Sequence, residues 1–325
     1  MYTSSEVIEK VNNALKAVDY AAKPEGLYEP VSYVLSIGGK RIRPVLLLMA
    51  YNLYKENIDN AMSAAVGIET YHNYTLLHDD LMDRAEVRRG KATVHKVWDD
   101  NTAILSGDSM LVLAYRYMID AAKRSNCFEL LDTFTTTALE IGEGQQYDMN
   151  FETRNDVCEE EYIEMIRLKT SVLVACGVKM GAMMAGASAE EANRLYEFGE
   201  KVGLAFQLQD DFLDVYGDPS VFGKKIGGDI LCNKKTFLLI NALNSANASQ
   251  RAELEKWIKA TDYDAQQKID AVTALYNAIG TKQLSNQKVE YYFEEARQSL
   301  KKLPLPAEKK TDLWHFVETL IGRDS

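Results

Sequence analysis

The chain has 325 residues, of which 46% are hydrophobic and 26% charged, so it can bury a sizeable core and is neither disordered nor collagen-like. Its 37 Lys and Arg against 48 Asp and Glu give a formal net charge of −11. This balance argues against nucleic acid as a partner, because binding to it depends on clustered Lys and Arg. The four cysteines lie far apart without a Cys-x-x-Cys pair, which is typical of reduced thiols in a cytoplasmic protein. No basic region followed by an apolar run opens the chain, so we expect no signal peptide.

Helical periodicity dominates the sequence. No proline, the strongest helix breaker, falls between Pro44 and Pro219. No glycine in the chain follows Asn or Asp, so the strongest hairpin signals are missing as well. We therefore predict a single all-α domain over residues 1–325, a bundle of about ten or more helices. Apolar residues recur at spacings of three and four in the segments Ser4–Ala22, Asn60–Met82, Ser106–Ala122, Glu159–Met184 and Glu190–Val215.

Two local patterns refine this prediction. Ser188 and Glu191 have the spacing of a capping box, which predicts that a helix begins near Ala189. Small apolar residues extend from Ser171 to Ser188 and are interrupted by Lys179. That composition predicts a buried, closely packed helix rather than a membrane span.

Two acidic clusters share the spacing Asp-Asp-x-x-Asp, and each ends an apolar helical segment. Residues three and four apart lie on one face of a helix, so their carboxylates are crowded and repel one another unless a cation or a proton intervenes. Clusters made only of oxygen ligands favour hard ions such as Mg²⁺. A solvated acidic face is the alternative, but the repeated spacing in an apolar setting favours a metal site. The clusters are Asp79, Asp80 and Asp83, and Asp210, Asp211 and Asp214.

Cations are concentrated in short packets, some of which directly follow the acidic clusters. Arg and Lys side chains are the usual ligands of phosphate groups. One packet alone is more typical of an ordinary surface, whereas four together fit a diphosphate held by Mg²⁺ on one side and by cations on the other. The packets lie within Gly38–Pro44, Arg84–Lys91, Lys224–Asp229 and Asn233–Thr236.

The order of these motifs resembles that of the trans-isoprenyl diphosphate synthase family, the polyprenyl synthetases, which includes farnesyl and geranylgeranyl diphosphate synthases. The resemblance extends from about Tyr28 to Leu239 and implies the isoprenoid synthase type I fold, in which helices surround a central active-site cavity. The matching motifs are Gly38–Pro44 (G-G-K-R-x-R-P), Asp79–Asp83 (D-D-x-x-D), Arg88–Gly90 (R-R-G), Gly144–Asp148 (G-Q-x-x-D), Lys169–Thr170 (K-T) and Phe206–Asp211, which opens the second D-D-x-x-D.

The same resemblance implies a homodimer. It also implies which residues bind the two diphosphate substrates and the metal ions. Isopentenyl diphosphate would be bound by Lys40, Arg43, His72 and Arg89. The allylic diphosphate would be bound by Arg88, Lys169, Thr170, Gln207, Lys224 and Lys234. Three Mg²⁺ would be held by Asp79, Asp83 and Asp210, with Asp148 near the first cluster. Asp80, Asp211 and Asp214 would act through water or through hydrogen bonds to these ligands.

These candidate ligands suit the ionisation of an allylic C–O bond, since Mg²⁺, Lys and Arg would stabilise the departing diphosphate. The allylic cation needs an apolar pocket with a few oxygen dipoles, for which the Thr170 hydroxyl, the Gln207 amide oxygen and a backbone carbonyl near Lys169 are candidates. The isopentenyl double bond then attacks, and the released diphosphate takes the proton. The reaction requires residues 79–83 and 210–214 to converge across an apolar cavity.

Product length is expected to depend on the helix before the first cluster. At about 1.5 Å of rise per residue, Tyr74 lies roughly 7–8 Å along the helix from Asp79. In the family, bulky side chains near this position form the floor of the chain-length pocket. Tyr74 and Tyr71, with the small Thr75 between them and the cluster, resemble a short-chain floor. We predict a C20 product ahead of C15, and not C30 or longer.

Three other functions share some of these motifs. A class I terpene cyclase generally lacks the complete second D-D-x-x-D and the cations Lys40 and Arg43. An HD-type metal phosphohydrolase would use His72 and His78 as metal ligands and would leave the second cluster unexplained. A non-catalytic subunit of a heteromeric synthase usually has a broken aspartate motif, and both motifs are intact here.

Overall fold

The computed structural model describes residues 1–20, 22–218 and 226–321, and almost all of them are helical. A 3₁₀ turn (Ile58–Ala61) precedes α4, and a π-helical turn (Arg167–Ser171) separates α8 from α9. The predicted all-α fold is confirmed. The helices are α1 Ser4–Ala17, α2 Glu25–Ser36, α3 Ile42–Asn52, α4 Met62–Met82, α5 Val94–Val97, α6 Asp100–Ser125, α7 Glu129–Thr153, α8 Glu159–Ile166, α9 Val172–Met184, α10 Ala189–Tyr216, α11 Gly228–Leu231, α12 Phe237–Ser245, α13 Ala248–Lys259, α14 Ala265–Ile279, α15 Thr281–Lys301 and α16 Ala307–Ile321.

The chain divides into two compact units. The prediction of a single domain over residues 1–325 stays a prediction. The first unit comprises Met1–Thr136, Leu173–Tyr196 and Lys302–Phe316, and the second comprises Thr137–Val172, Glu197–Lys301 and the residues from Val317 onward.

Helices α3 and α9 pack closely in the first unit. A Cβ atom at Gly181 would lie 2.1 Å from the carbonyl oxygen of Leu47, so only glycine permits this approach. Residues 172–182 are almost entirely buried, apart from the partly buried Lys179, which confirms the expected buried helix. Among the described residues, no helix is both long and apolar enough to cross a membrane.

Helix α1 is shorter than the sequence predicts. It ends at Ala17, and Val18 adopts an extended conformation with φ −75° and ψ 118°. Val18 and Tyr20 pack against a buried apolar cluster that includes Val31 and Leu35. Tertiary packing therefore ends the helix before the apolar periodicity does.

A two-stranded hairpin, which the sequence does not predict, follows the first aspartate motif. Strands Val87–Arg88 (β1) and Lys91–Ala92 (β2) pair antiparallel. Both turn residues are left-handed, with φ 51° at Arg89 and 75° at Gly90, as type I′ turns require. Arg89 replaces the usual Asn or Asp, and its guanidinium donates to the Gly38 carbonyl, a contact between segments far apart in the sequence.

The capping box at the start of α10 is confirmed. The Ser188 hydroxyl accepts a hydrogen bond from the Glu191 N–H (3.3 Å), and the Glu191 carboxylate accepts from the Ser188 N–H (3.0 Å). The helix begins at Ala189, as predicted.

The long helix predicted over Glu159–Met184 is interrupted by the π turn in the second unit. The N–H of Val172 donates to the carbonyl of Arg167, an i→i+5 bond that widens the helix at Lys169 and Thr170. Two glycines let neighbouring helices approach the backbone of this turn. A Cβ at Gly144 would lie 2.3 Å from the Lys169 nitrogen, and one at Gly203 would lie 2.5 Å from Ser171 Cα. Such π turns often occur at functional sites.

We expect Gly144→Ala to destabilise the protein by ~1–3 kcal/mol, because the new methyl group overlaps backbone atoms that cannot move aside. Gly142→Ala is the matched control on the same helix, since a Cβ there has no neighbour within 4 Å. We expect that change to stabilise by about 0.5–1 kcal/mol. Urea unfolding measures both values. Equal stability of the two variants would contradict the close packing at the π turn.

Candidate active site

The first aspartate motif lies at the carboxyl end of α4. Asp83 caps the helix, and its N–H donates to the Asp79 carbonyl (2.9 Å). Asp80 is buried and accepts hydrogen bonds from Arg88 Nε at 2.9 and 2.7 Å. Burial raises the pKa of Asp80, an effect that Arg88 opposes. The carboxyl end of a helix disfavours negative charge, so this motif depends on nearby cations.

Asp79 and Asp83 offer only oxygen ligands to a cation. Their spacing of four residues places them on one face of α4. His78 turns away from them, because its Nε2 lies 3.3 Å from the Ile104 carbonyl oxygen on α6. Among the described residues, no group of three or more His, Cys, Asp or Glu side chains converges as a metal cage. Mg²⁺ commonly binds one or two carboxylates and completes its shell with water and substrate phosphate, which fits this donor set.

A cluster of cations lies in the first unit around His72. Arg43 Nη1 is 3.2 Å from His72 Nε2. Arginine can only donate, so His72 accepts and is neutral. Burial, followed by the charge of Arg43, lowers the pKa of His72 well below its usual range. Burial also lowers the pKa of Arg43 to about 10, with a further contribution from Arg89, and Arg43 therefore stays charged at neutral pH.

The cations of this cluster differ in their partners. Arg41 is buried and forms an ion pair with the buried Glu69 at 2.6 Å, which holds the start of α3 on α4. Among the described residues, neither Arg43 nor Arg89 has a carboxylate within ion-pair distance, and Arg43 Nε is buried without a hydrogen-bond partner. Lys40 is exposed beside them. Arg43 and Arg89 are thus available to an external anion, whereas Arg41 is not.

The second aspartate motif forms a hydrogen-bonded chain within the second unit. Asp211 is buried and accepts from the Tyr162 hydroxyl and from Gln207 Nε2 (2.9 Å). Thr170 Oγ1 donates to Gln207 Oε1 (3.0 Å). Burial raises the pKa of Asp211 to about 7, and the charge of Asp229 adds to this effect. The chain connects Thr170 to Gln207, 37 residues further along the sequence, and Gln207 to Asp211 on the next turn of α10.

Ion pairs and backbone bonds hold the other candidates of the second unit. Lys169 Nζ lies 2.6 Å from Asp148 Oδ2, so these two motif residues pair directly. Asp214 Oδ2 accepts from the Asp229 N–H (2.9 Å), and the Asp229 carbonyl accepts from the Lys234 N–H (2.9 Å). Asp214 thereby anchors the segment that leads to Lys234. Asp210 is partly buried beside Asp211, and the candidate Lys224 lies outside the described residues.

The predicted chain-length floor belongs to an aromatic cluster in the first unit. The rings of Tyr71 and Tyr74 have centroids 5.4 Å apart, and Tyr71 packs edge-on against Phe134 at 5.2 Å. Tyr71 is buried and Tyr74 half-buried. The Thr75 hydroxyl bonds back to the His72 carbonyl (2.8 Å) and is turned along the helix.

Two residues of these networks were missed from the sequence. Glu69 carries a detectable signal, since it is an acidic residue in the apolar run that begins α4, where an unpaired charge would be costly. No sequence signal identifies Tyr162, because nothing in the pattern of α8 distinguishes its hydroxyl from that of any other buried tyrosine.

The HD-type phosphohydrolase does not fit this geometry. It would need His72 and His78 to bind one metal, but His72 faces Arg43 and His78 faces the backbone of α6. A guanidinium 3.2 Å from a ring nitrogen repels a metal ion at that position.

Comparisons with known proteins agree on one family. Residues 24–277 match the family model described as "Polyprenyl synthetase". The geranylgeranyl pyrophosphate synthase of Geoglobus acetivorans is 35% identical over 98% of this chain and 96% of its own, and the geranylfarnesyl diphosphate synthase of Natronomonas pharaonis is 40% identical over 72% and 74%. A crystal structure of a geranylgeranyl pyrophosphate synthase covers 100% of both chains with a TM-score of 0.94 and 43% identity. None of the three alternative functions is supported. The chain therefore belongs to the polyprenyl synthetase family of trans-prenyltransferases.

Proposed function

We propose that this prenyltransferase condenses isopentenyl diphosphate head-to-tail with allylic diphosphates to a C20 diphosphate, releasing diphosphate. The observation that carries the proposal is the pair of arginines, Arg43 and Arg89, that have no carboxylate within ion-pair distance among the described residues. Arg43 is partly buried and Arg89 is exposed, and a diphosphate would supply the negative charge that no carboxylate gives them. Lys40 and the neutral His72, whose remaining ring N–H can donate, complete the isopentenyl diphosphate site.

The allylic substrate is assigned to the other set of side chains. Arg88 forms an ion pair with Asp80 of the first aspartate motif. In the second unit, Lys169 forms an ion pair with Asp148, and Lys234 lies near Asp211. Lys224, outside the described residues, completes this set. These cations would stabilise the electron pair that leaves with the diphosphate when the allylic C–O bond breaks.

Carbon–carbon bond formation follows that ionisation. The double bond of isopentenyl diphosphate attacks the allylic cation, and the released diphosphate takes the proton that is lost. Thr170 Oγ and Gln207 Oε1 are joined by a 3.0 Å hydrogen bond and offer the oxygen lone pairs that would stabilise the cation. No protein general base is required in this scheme.

Mg²⁺ is the proposed cofactor, held by Asp79 and Asp83 on the first motif and by Asp210 on the second, with Asp148 near the first. When bound, it would neutralise the charge of the leaving diphosphate. Asp80, Asp211 and Asp214 are assigned to the support of these ligands, which agrees with their bonds to Arg88, Gln207 and Asp229. The proposal requires both motifs to face the same substrate.

Arg43→Gln should raise the KM for isopentenyl diphosphate roughly 10- to 150-fold, since charge-assisted hydrogen bonds contribute ~1.5–3 kcal/mol. The KM for the allylic substrate should change little. Arg124→Gln, which removes an exposed ion pair to Asp120, is the control and should leave both values unchanged. The assay uses labelled isopentenyl diphosphate, a set of allylic diphosphates and Mg²⁺. Absence of any condensation product from the unaltered protein would refute the proposed function.

Replacement of both Tyr71 and Tyr74 by Ala should lengthen the main product beyond C20, because the two rings that close the floor are removed together. Tyr291→Ala, at a side chain that is 55% exposed, is the control. Chromatography of the dephosphorylated products measures chain length. An unchanged product from the double variant would exclude these residues as the floor.

We also propose a homodimer that works in the cytoplasm, where the four cysteines stay thiols. Helix α6 exposes large apolar side chains at seven-residue spacing, namely Leu105 (59% exposed), Val112 (61%) and Ile119 (39%). Such a stripe on one helix face is typical of a surface that another chain covers.

The double variant Leu105→Glu, Val112→Glu should therefore be a monomer, since it places two like charges in the apolar contact. Light scattering coupled to size-exclusion chromatography measures the mass. Leu284→Glu, at a side chain that is 38% exposed outside this stripe, should remain a dimer. A monomeric unaltered protein would contradict the proposal.

A further inference from the structure

Tyr162 is a buried residue of α8 that none of the roles above requires. Only 1% of its surface is exposed, and its hydroxyl donates to Asp211 Oδ2 on α10. Its ring packs near Phe237 with centroids 6.5 Å apart, so the side chain has little freedom to rotate. A buried carboxylate oxygen without a donor is costly, and each Asp211 oxygen has one, from Tyr162 and from Gln207.

The bond from Tyr162 determines how Asp211 orients its neighbour. Gln207 presents its NH₂ group to the other Asp211 oxygen, which accepts the hydrogen bond at 2.9 Å. The amide oxygen of Gln207 then points the opposite way, toward the Thr170 hydroxyl at 3.0 Å. The orientation of the Gln207 amide therefore depends on Tyr162, which acts through Asp211.

We propose that Tyr162 is a positioning residue for the condensation: it fixes Asp211, and through Asp211 it holds the Gln207 amide oxygen beside Thr170. This inference rests on the proposed function, in which that oxygen stabilises the allylic cation. Tyr162 itself touches neither substrate and exchanges no proton in the reaction. Its contribution is to keep the amide from turning its NH₂ group toward a developing positive charge, which would raise the barrier to ionisation.

The structure offers a closely matched control. Tyr216 lies two residues after Asp214 on α10, and its hydroxyl is buried without a hydrogen-bond partner among the described residues. Its ring packs against Phe212 with centroids 4.9 Å apart. Tyr216→Phe thus removes a buried hydroxyl of the same kind that belongs to no network.

Tyr162→Phe should lower kcat about 10- to 100-fold while the KM values for both substrates stay within about twofold, because the lost hydrogen bond acts on the ionisation step and not on diphosphate binding. Tyr216→Phe should leave kcat unchanged. Thermal unfolding of both variants separates loss of positioning from loss of fold. An equal kcat for Tyr162→Phe and the unaltered enzyme would overturn the inference, whereas an inactive unaltered enzyme would refute the proposed function instead.

A double-mutant cycle tests the route through Gln207. If Tyr162 acts by orienting that amide, Tyr162→Phe should have no further effect on kcat once Gln207 is replaced by Leu. The same loss in both backgrounds would show a merely structural role and would overturn the inference. Should Tyr162→Phe not fold, Asp211→Asn decides, since Tyr162 and Gln207 donate to different Asp211 oxygens and the NH₂ group that replaces one of them cannot accept. Unchanged kcat in Asp211→Asn would likewise overturn the inference.

Discussion

Positive charge without a carboxylate partner is the constraint on which the proposed site depends. In the first unit, Glu69 neutralises Arg41, whereas Arg43 and Arg89 have no carboxylate within ion-pair distance among the described residues. Arg43 is partly buried, and the loss of water around its guanidinium group costs free energy. In the proposed site, a bound diphosphate would offset this cost through charge-assisted hydrogen bonds. Burial, followed by the charge of Arg43, lowers the pKa of His72 and keeps it neutral.

The second unit depends instead on close backbone packing and on a connected set of hydrogen bonds. Gly144 and Gly203 admit neighbouring helices to the π turn, so that Lys169 and Thr170 leave the regular helix at one place. Networks of this kind are rigid only when every member is satisfied. In the proposed mechanism that rigidity matters, because a cation is stabilised by dipoles that already point the right way.

Local patterns predicted the fold class well and its boundaries less well. The capping box at Ser188 and the long apolar periodicities concern residues within one or two turns of each other, and the helices they predict are present. The end of α1 at Ala17 and the hairpin at Arg89 were missed, because Tyr20 packs against a distant cluster and Arg89 bonds to the Gly38 carbonyl. Contacts between segments far apart in the chain decide both features.

The fold class and the family could be inferred from the sequence alone, and candidate ligands for a diphosphate and Mg²⁺ could be named from it, since these inferences rest on residue type and on spacing along the chain. Which of the candidate cations form an ion pair with a carboxylate of the protein depends on the tertiary structure. Arg41 and Arg43 are two residues apart in one packet, yet one is neutralised by Glu69 and the other faces His72. The physical reason is that ion pairing and hydrogen bonding depend on distances of about 3 Å between atoms, which spacing along the chain does not determine.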